Sequence, residues 1–152
     1  MSRANFGRIC QMWSWLRPPA VERINYEAVH AALNDSRSSI VSTLPVGEQN
    51  CLVARTLTPH EEETRLNEYL KKGHTSAPIV VYGRNAVDES PDKKCRQLQG
   101  LGFTSVQMYA GGLFEWALLQ DIYGAELFPT TSACADPLQF KMPPPPRQRL
   151  IA

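Results

Sequence analysis

Apolar positions along the chain alternate between two periods. Short apolar runs recur at Ser39-Ile40-Val41-Ser42, Ile79-Val80-Val81-Tyr82 and Ser105-Val106-Gln107-Met108-Tyr109. These read as strands. Between and around them the apolar residues fall at helical spacing. Ala28, Val29, Ala32 and Leu33 make one stripe behind Asn25, a good N-cap, and Asn34-Asp35-Ser36 ends that helix. Thr58, Pro59 and Glu61 form a capping box with proline at the first helical position. Acids follow in the first turn, Lys71 and Lys72 stand in the last, and Gly73 is the stop; Leu66, Tyr69 and Leu70 are predicted to face inward. Ser90-Pro91 predicts the same cap-then-proline start for a third helix, with Cys95, Leu98 and Leu101 as its stripe and glycines 100 and 102 as its end. From Leu113 to Tyr123 apolar residues lie on most sides, which predicts a well-buried helix. Cys51-Leu52-Val53 is a short apolar piece that reads as a further strand. Strands alternating with helices mean an α/β domain: a central, mainly parallel sheet with helices on both faces.

The two ends differ from this body. Phe6, Ile9, Met12, Trp13 and Leu16 recur at helical spacing, with Arg8 and Gln11 on the other side, and Pro18-Pro19 ends the segment. After Phe128-Pro129-Thr130-Thr131 the chain is predicted to be an extended tail, and prolines 143 to 146 impose polyproline II. The expected organisation is a basic amphipathic extension over 1–20, a domain over 21–130 and a proline-rich tail over 131–152.

Charge sharpens the division. The net charge is +1, yet all 15 acidic residues lie between Glu22 and Asp136, leaving both ends purely basic. An acidic body argues against nucleic-acid binding by the domain. The basic ends, with Trp13, Trp15, Arg17, Arg147 and Arg149, are the candidate partner-binding residues; a protein partner or larger assembly is expected. No apolar run is long enough to cross a bilayer. The acid-free, arginine-bearing start is transit-peptide-like, so the expected location is intracellular, cytoplasmic or mitochondrial.

Cys10, Cys51, Cys95 and Cys134 are widely spaced with no C-x-x-C, which is neither a zinc pattern nor a dense disulfide framework; reduced thiols are expected. Cys95 falls on an apolar stripe and Cys51 in an apolar segment, so both read as core, whereas Cys134 sits in an open stretch. His30, His60 and His74 lie on different elements, and neither a metal nor a cofactor is expected.

The order strand Ile79–Tyr82, loop Gly83-Arg84-Asn85-Ala86-Val87-Asp88-Glu89, helix, strand, then Gly111-Gly112-Leu113-Phe114-Glu115-Trp116 resembles the active-site half of a rhodanese-like domain. The resemblance covers roughly residues 24–128. It implies a three-layer α/β fold and a site in the loop after Tyr82, where active members carry a cysteine that takes up sulfane sulfur as a persulfide. Here that place holds Gly83. Where phosphatase relatives place an arginine stands Glu89, with Asp88 beside it, and Arg84 supplies the loop's one positive charge. The loop over Gly83–Glu89 therefore reads as degenerate, with no catalytic residue in it, and the resemblance permits a non-enzymatic domain used for protein binding or assembly, which is the expectation. Two alternatives stay open: a working sulfurtransferase with a relocated thiol at Cys51, Cys95 or Cys134, and an anion-sensing module using the empty loop.

Overall fold

A computed structural model describes residues 20–145. Four short strands form one all-parallel sheet: β1 (Glu22–Ile24), β2 (Ser39–Ser42), β3 (Ile79–Tyr82) and β4 (Val106–Tyr109), in the order β1-β4-β3-β2. Four helices cover it: α1 (Tyr26–Asn34), α2 (Pro59–Lys72), α3 (Ser90–Gly100) and α4 (Gly112–Tyr123).

The period-two alternation of the strands sorts the helices into two layers. Ile40, Val80, Tyr82 and Tyr109 face Val29 and Ala32 of α1 and Leu113, Trp116 and Ala117 of α4. Val41, Ile79, Val81, Val106 and Met108 face Leu66 of α2 and Cys95 and Leu98 of α3. Every side chain of β3 is buried, as a central parallel strand covered on both faces requires. Trp116 is fully buried, its ring edge-on to Phe128, and its indole N–H donates to the Pro129 carbonyl at 3.0 Å.

The local signals that act within one turn hold. Asn25 accepts from the Ala28 N–H at 3.2 Å, the Thr58–Glu61 capping box closes in both directions, and Gly73 takes the left-handed conformation at φ 71°. Arg55, itself at φ 62°, reaches the carbonyls of Ala32 and Leu33 and closes the C-terminus of α1.

Several expectations are corrected. Residues 51–53 form no strand; they lie as a crossing segment with an isolated antiparallel bridge, Val53 to Thr130. Leu70 and Leu101 are exposed, the first in the last turn of α2 and the second just past the end of α3. The far end of α4 likewise leaves Ile122 and Tyr123 in solvent. No side chain caps α3 at its N-cap residue, Glu89; Asp88, one residue earlier, receives the Ser90 N–H at 2.9 Å. The segment after residue 131 is not simply extended. Pro137–Phe140 is a 3-10 turn whose first residue is preceded by the cap Asp136, and Phe140 is buried in the α1–α4 side of the core. We call residues 131–145 the strap. The thiols at 51 and 134 are joined as a disulfide with Cα atoms 5.6 Å apart, so the expectation of reduced thiols is overturned for this pair. The sequence placed Cys51 in the interior and Cys134 in an open stretch, 83 residues away; only the fold brings them to bonding distance. Among the described residues no helix is long and apolar enough to cross a membrane.

Candidate functional site

Ser42, Tyr82 and Tyr109 stand in register, with Ile24 beside Tyr109, so the strands end in one row. The chain leaving β2, the loop after β3 and the turn into α4 therefore converge at the carboxyl edge of the sheet, where parallel α/β folds place their sites. The predicted loop Gly83–Glu89 lies there.

Its backbone is fastened to the start of α4. The N–H groups of Leu113 and Phe114 donate to the carbonyls of Gly83 and Arg84, each at 2.9 Å. Gly112 makes that approach possible. It sits at φ 67°, and a Cβ there would lie 2.9 Å from both the Asn85 nitrogen and the Gly83 oxygen. The tight turn expected of the Gly111-Gly112 pair is thus found against the loop.

Gly83 begins the loop, and its missing side chain is not an empty space. A Cβ on residue 83 would lie 2.5 Å from Asp88 Oδ2 and 2.6 Å from Pro91 Cγ. The Asp88 carboxylate occupies the loop itself. Oδ2 accepts from the Arg84 N–H at 3.0 Å; Oδ1 accepts from the Ser90 N–H at 2.9 Å and from the Ser90 hydroxyl at 2.7 Å. Ser90 Oγ also meets Thr43 Oγ1 at 2.7 Å, tying the loop to the chain after β2. Burial works against the Asp88 charge, but the donors from Arg84 and Ser90 outweigh it and hold the carboxyl below its ordinary value.

The sign follows. A carboxyl lowered by folding adds stability that is present above its unfolded value near 3.8 and is lost as pH falls through its lower folded value. Asp88→Asn removes this contribution and one acceptor. We expect it to cost about 1–2 kcal/mol at pH 7, since a lost charge-assisted bond in a half-buried site is worth that order. Urea melts should show the difference shrinking as pH is lowered from 6 to 3. A constant difference over that range would mean that the Asp88 charge does not bind these amides.

The remaining loop residues divide between contacts and exposure. Arg84 is ion-paired with Glu48, so its charge is already matched. Asn85 is buried at 7% exposure; its Oδ1 accepts from the Val87 N–H at 3.1 Å, and its Nδ2 donates to the Phe140 carbonyl at 3.0 Å. Arg84 also donates to the Gln139 carbonyl at 3.5 Å. Ala86, Val87 and Glu89 are exposed. An open cavity of about 460 Å3 lies between Thr43, Glu48, Arg84, Asp88 and Pro143. Its cation, Arg84, is paired with Glu48, and the Arg84 and Ser90 amides beside it are taken by Asp88.

Two tyrosines under the loop are structural. Tyr82 Oη receives the Val53 N–H at 3.1 Å and bonds Thr56 Oγ1 at 2.7 Å, and burial pushes its phenol up to about 12. Tyr109 donates to Glu115 Oε1 at 3.0 Å; burial and that neighbouring carboxylate both raise its value.

The sulfur atoms lie elsewhere. Cys95 is fully buried on α3, and burial pushes its thiol up to about 11, so it is neither reachable nor ionised. Cys51 and Cys134 are bonded to each other. Cys51 lines a cavity of about 380 Å3 that Arg84 and Glu48 also line, next to the loop. That proximity had no sequence signal, since it depends on the crossing of residues 45–53 over the sheet edge. Cys10, Trp13, Trp15, Arg17, Arg147 and Arg149 lie outside the described residues. His30 packs against Trp116 and Phe128 on the α1–α4 face of the sheet. Among the described residues no three histidine, cysteine or carboxylate side chains are grouped to hold a metal.

No protein-family model matches the chain, and no curated protein matches it. Solved structures do. The Alr3790 protein from Anabaena sp. aligns with a TM-score of 0.52 at 20% identity, covering 76% of this chain and 97% of that one. The BH2092 protein from Bacillus halodurans aligns with a TM-score of 0.52 at 14% identity, covering 80% and 84%. A second Alr3790 structure, described as its Rhodanese_3-like domain, aligns with a TM-score of 0.44 at 23% identity, covering 62% of this chain and 98% of that one. At these identities the first two alignments show a likeness of fold. The chain has a rhodanese-like α/β architecture: a four-stranded parallel sheet between two helical layers.

Proposed function

We propose that this chain is a rhodanese-like domain without sulfur-transfer activity, and that it serves as a protein-binding or assembly component. One observation carries the first half: the Asp88 carboxylate fills the space that a side chain on residue 83 needs. A persulfide carried at this loop requires a thiolate at its head and free amide donors around it. The loop offers glycine at its head, and Asp88 holds the donors of Arg84 and Ser90. The same contacts weigh against anion sensing, because an incoming oxyanion would have to displace a bound carboxylate and part Arg84 from Glu48.

The second half rests on the ends. A domain whose loop donors are held by its own Asp88, flanked by two acid-free basic segments of which one carries Trp13 and Trp15, suits attachment better than turnover. The test uses the full chain and a form lacking residues 1–18, each reduced and assayed for thiocyanate from thiosulfate and cyanide. Neither should exceed the protein-free blank, while the shorter form should keep its circular dichroism and lose the protein that co-purifies with the full chain. Activity that disappears in one of Cys51→Ser, Cys95→Ser or Cys134→Ser would overturn the non-enzymatic reading. Unchanged co-purification by the shorter form would remove residues 1–18 from it.

A further inference from the structure

The strap is held to the domain in three places. At its start, the Thr131 N–H donates to the Leu52 carbonyl at 2.8 Å, Thr131 Oγ1 accepts from the Leu52 N–H at 3.1 Å, and the Ser132 hydroxyl donates to the Asn50 carbonyl. In its middle, Cys134 is bonded to Cys51. At its end, the buried Phe140 carries the carbonyl that receives Asn85 Nδ2, with the Gln139 carbonyl beside it receiving Arg84. Between these points Ala133, Ala135, Asp136 and Leu138 are exposed, and the strap joins no strand of the sheet. The middle fastening is the covalent one, and the far contacts fall on the first residues of the loop.

The two sulfurs differ in access. Cys51 is 5% exposed, whereas Cys134 is half-buried between exposed neighbours. Each cysteine lines an open cavity: Cys51 the one shared with Arg84 and Glu48, Cys134 a second of about 490 Å3 shared with Gln120, Asp121 and Pro137. A disulfide whose two cysteines line open cavities can be met by an external thiolate in the folded protein, unlike one sealed in a core.

We infer that Cys51–Cys134 is a thiol–disulfide exchange site that latches the strap over the loop, and that a dithiol reductant opens it. The first thiolate of the reductant attacks Cys134 Sγ. A mixed disulfide forms there, the bond to Cys51 Sγ breaks, and Cys51 leaves as a thiolate that takes a proton from water. The second thiolate of the reductant then attacks its own sulfur in the mixed disulfide. Cys134 leaves as a thiolate and is protonated, and the reductant departs as its cyclic or intramolecular disulfide. Two electrons pass from the reductant to the protein. Once open, the strap is held near Asn85 by Phe140 and two hydrogen bonds, and the tether to them lengthens, running from the Thr131 and Ser132 contacts instead of from Cys134, which lowers their effective concentration. Release uncovers the Asn85 amide, the Arg84 guanidinium and the apolar seat of Phe140 together.

The experiment treats the oxidised full chain with dithiothreitol under native conditions and follows hydrogen–deuterium exchange by mass spectrometry, with maleimide labelling to count thiols. Two thiols should appear without denaturant. Exchange over residues 83–89 and 131–145 should rise about 10-fold or more, while residues 79–82 and 106–109 keep their protection. Glutathione disulfide should restore the original pattern. Cys134→Ser should match the reduced protein and ignore dithiothreitol; if that variant does not fold, the reduced wild-type chain gives the same reading. A disulfide that yields only on unfolding, exchange at 83–89 unchanged by reduction, or loss of protection in all segments at once would each overturn the latch and leave a structural staple.

Discussion

Alanine in place of Gly112 will destabilise this domain by about 3 kcal/mol, and valine will cost more or prevent folding. Two independent terms add. The residue sits at φ 67°, where a non-glycine residue is strained by roughly 1–3 kcal/mol. The new Cβ would also meet three backbone atoms at once: Asn85 N and Gly83 O at 2.9 Å, and Arg84 C at 3.0 Å. Backbone cannot rotate away as a side chain can, so the loop must move as a unit. Moving it stretches the bonds from the Leu113 and Phe114 N–H groups to the Gly83 and Arg84 carbonyls, which fix the two elements to each other. Valine adds β-branching at a conformation that branched residues avoid. Urea denaturation of the three proteins measures this directly. A loss below about 1 kcal/mol for Gly112→Ala would show that the loop is not clamped to α4 as described.

Cysteine introduced at Gly83 will not make a sulfurtransferase, and it will cost about 2–4 kcal/mol of stability. The size comes from overpacking against two close atoms, Asp88 Oδ2 at 2.5 Å and Pro91 Cγ at 2.6 Å. The Asp88 side chain can turn aside, but doing so strands the Arg84 and Ser90 donors that it satisfies. The thiol would also arrive beside a carboxylate, which favours its neutral form and so opposes reactivity. The double variant Gly83→Cys with Asp88→Ala should regain part of the lost stability, because one of the two clashes is gone while Pro91 remains. The two changes share a contact, so they are expected to be non-additive. Thermal melts and the thiocyanate assay are the readouts. Turnover by Gly83→Cys alone would mean that the loop amides are available to a persulfide, and the proposed function would fall with it.

The chain's own letters carried the architecture well where physics is local. Ile79–Tyr82 is four consecutive apolar residues, and such a run has no outward face, so it reads as a central buried strand before any contact is known. Thr58, Pro59 and Glu61 announce a helix start because all three act within one turn. The reading was weaker where a helix ends. Leu70, Leu101 and Ile122 continue apolar stripes, yet they stand at helix ends and are exposed, and stripe position cannot tell how far the covering layer extends. Ser90-Pro91 looks like a cap and a first residue; the cap is instead given by Asp88, which a loop conformation rather than a pattern decides. Of the loop itself, the absent thiol and the adjacent acids were legible. That Asp88 turns inward to bind the Arg84 and Ser90 amides was not.

Composition and order alone determined that this is a parallel α/β domain with a glycine at the head of its loop and acid near the following helix. Those are properties of residue type and period, and they survive without any long-range contact. Only the tertiary structure decided that Cys51 and Cys134 meet, that Phe140 is core, and that a strap lies across Arg84 and Asn85. The disulfide joins residues 83 positions apart and the Asn85–Phe140 bond residues 55 apart. No local rule acts over such separations, because the choice between them is made by the packing of the whole sheet and its two helical layers.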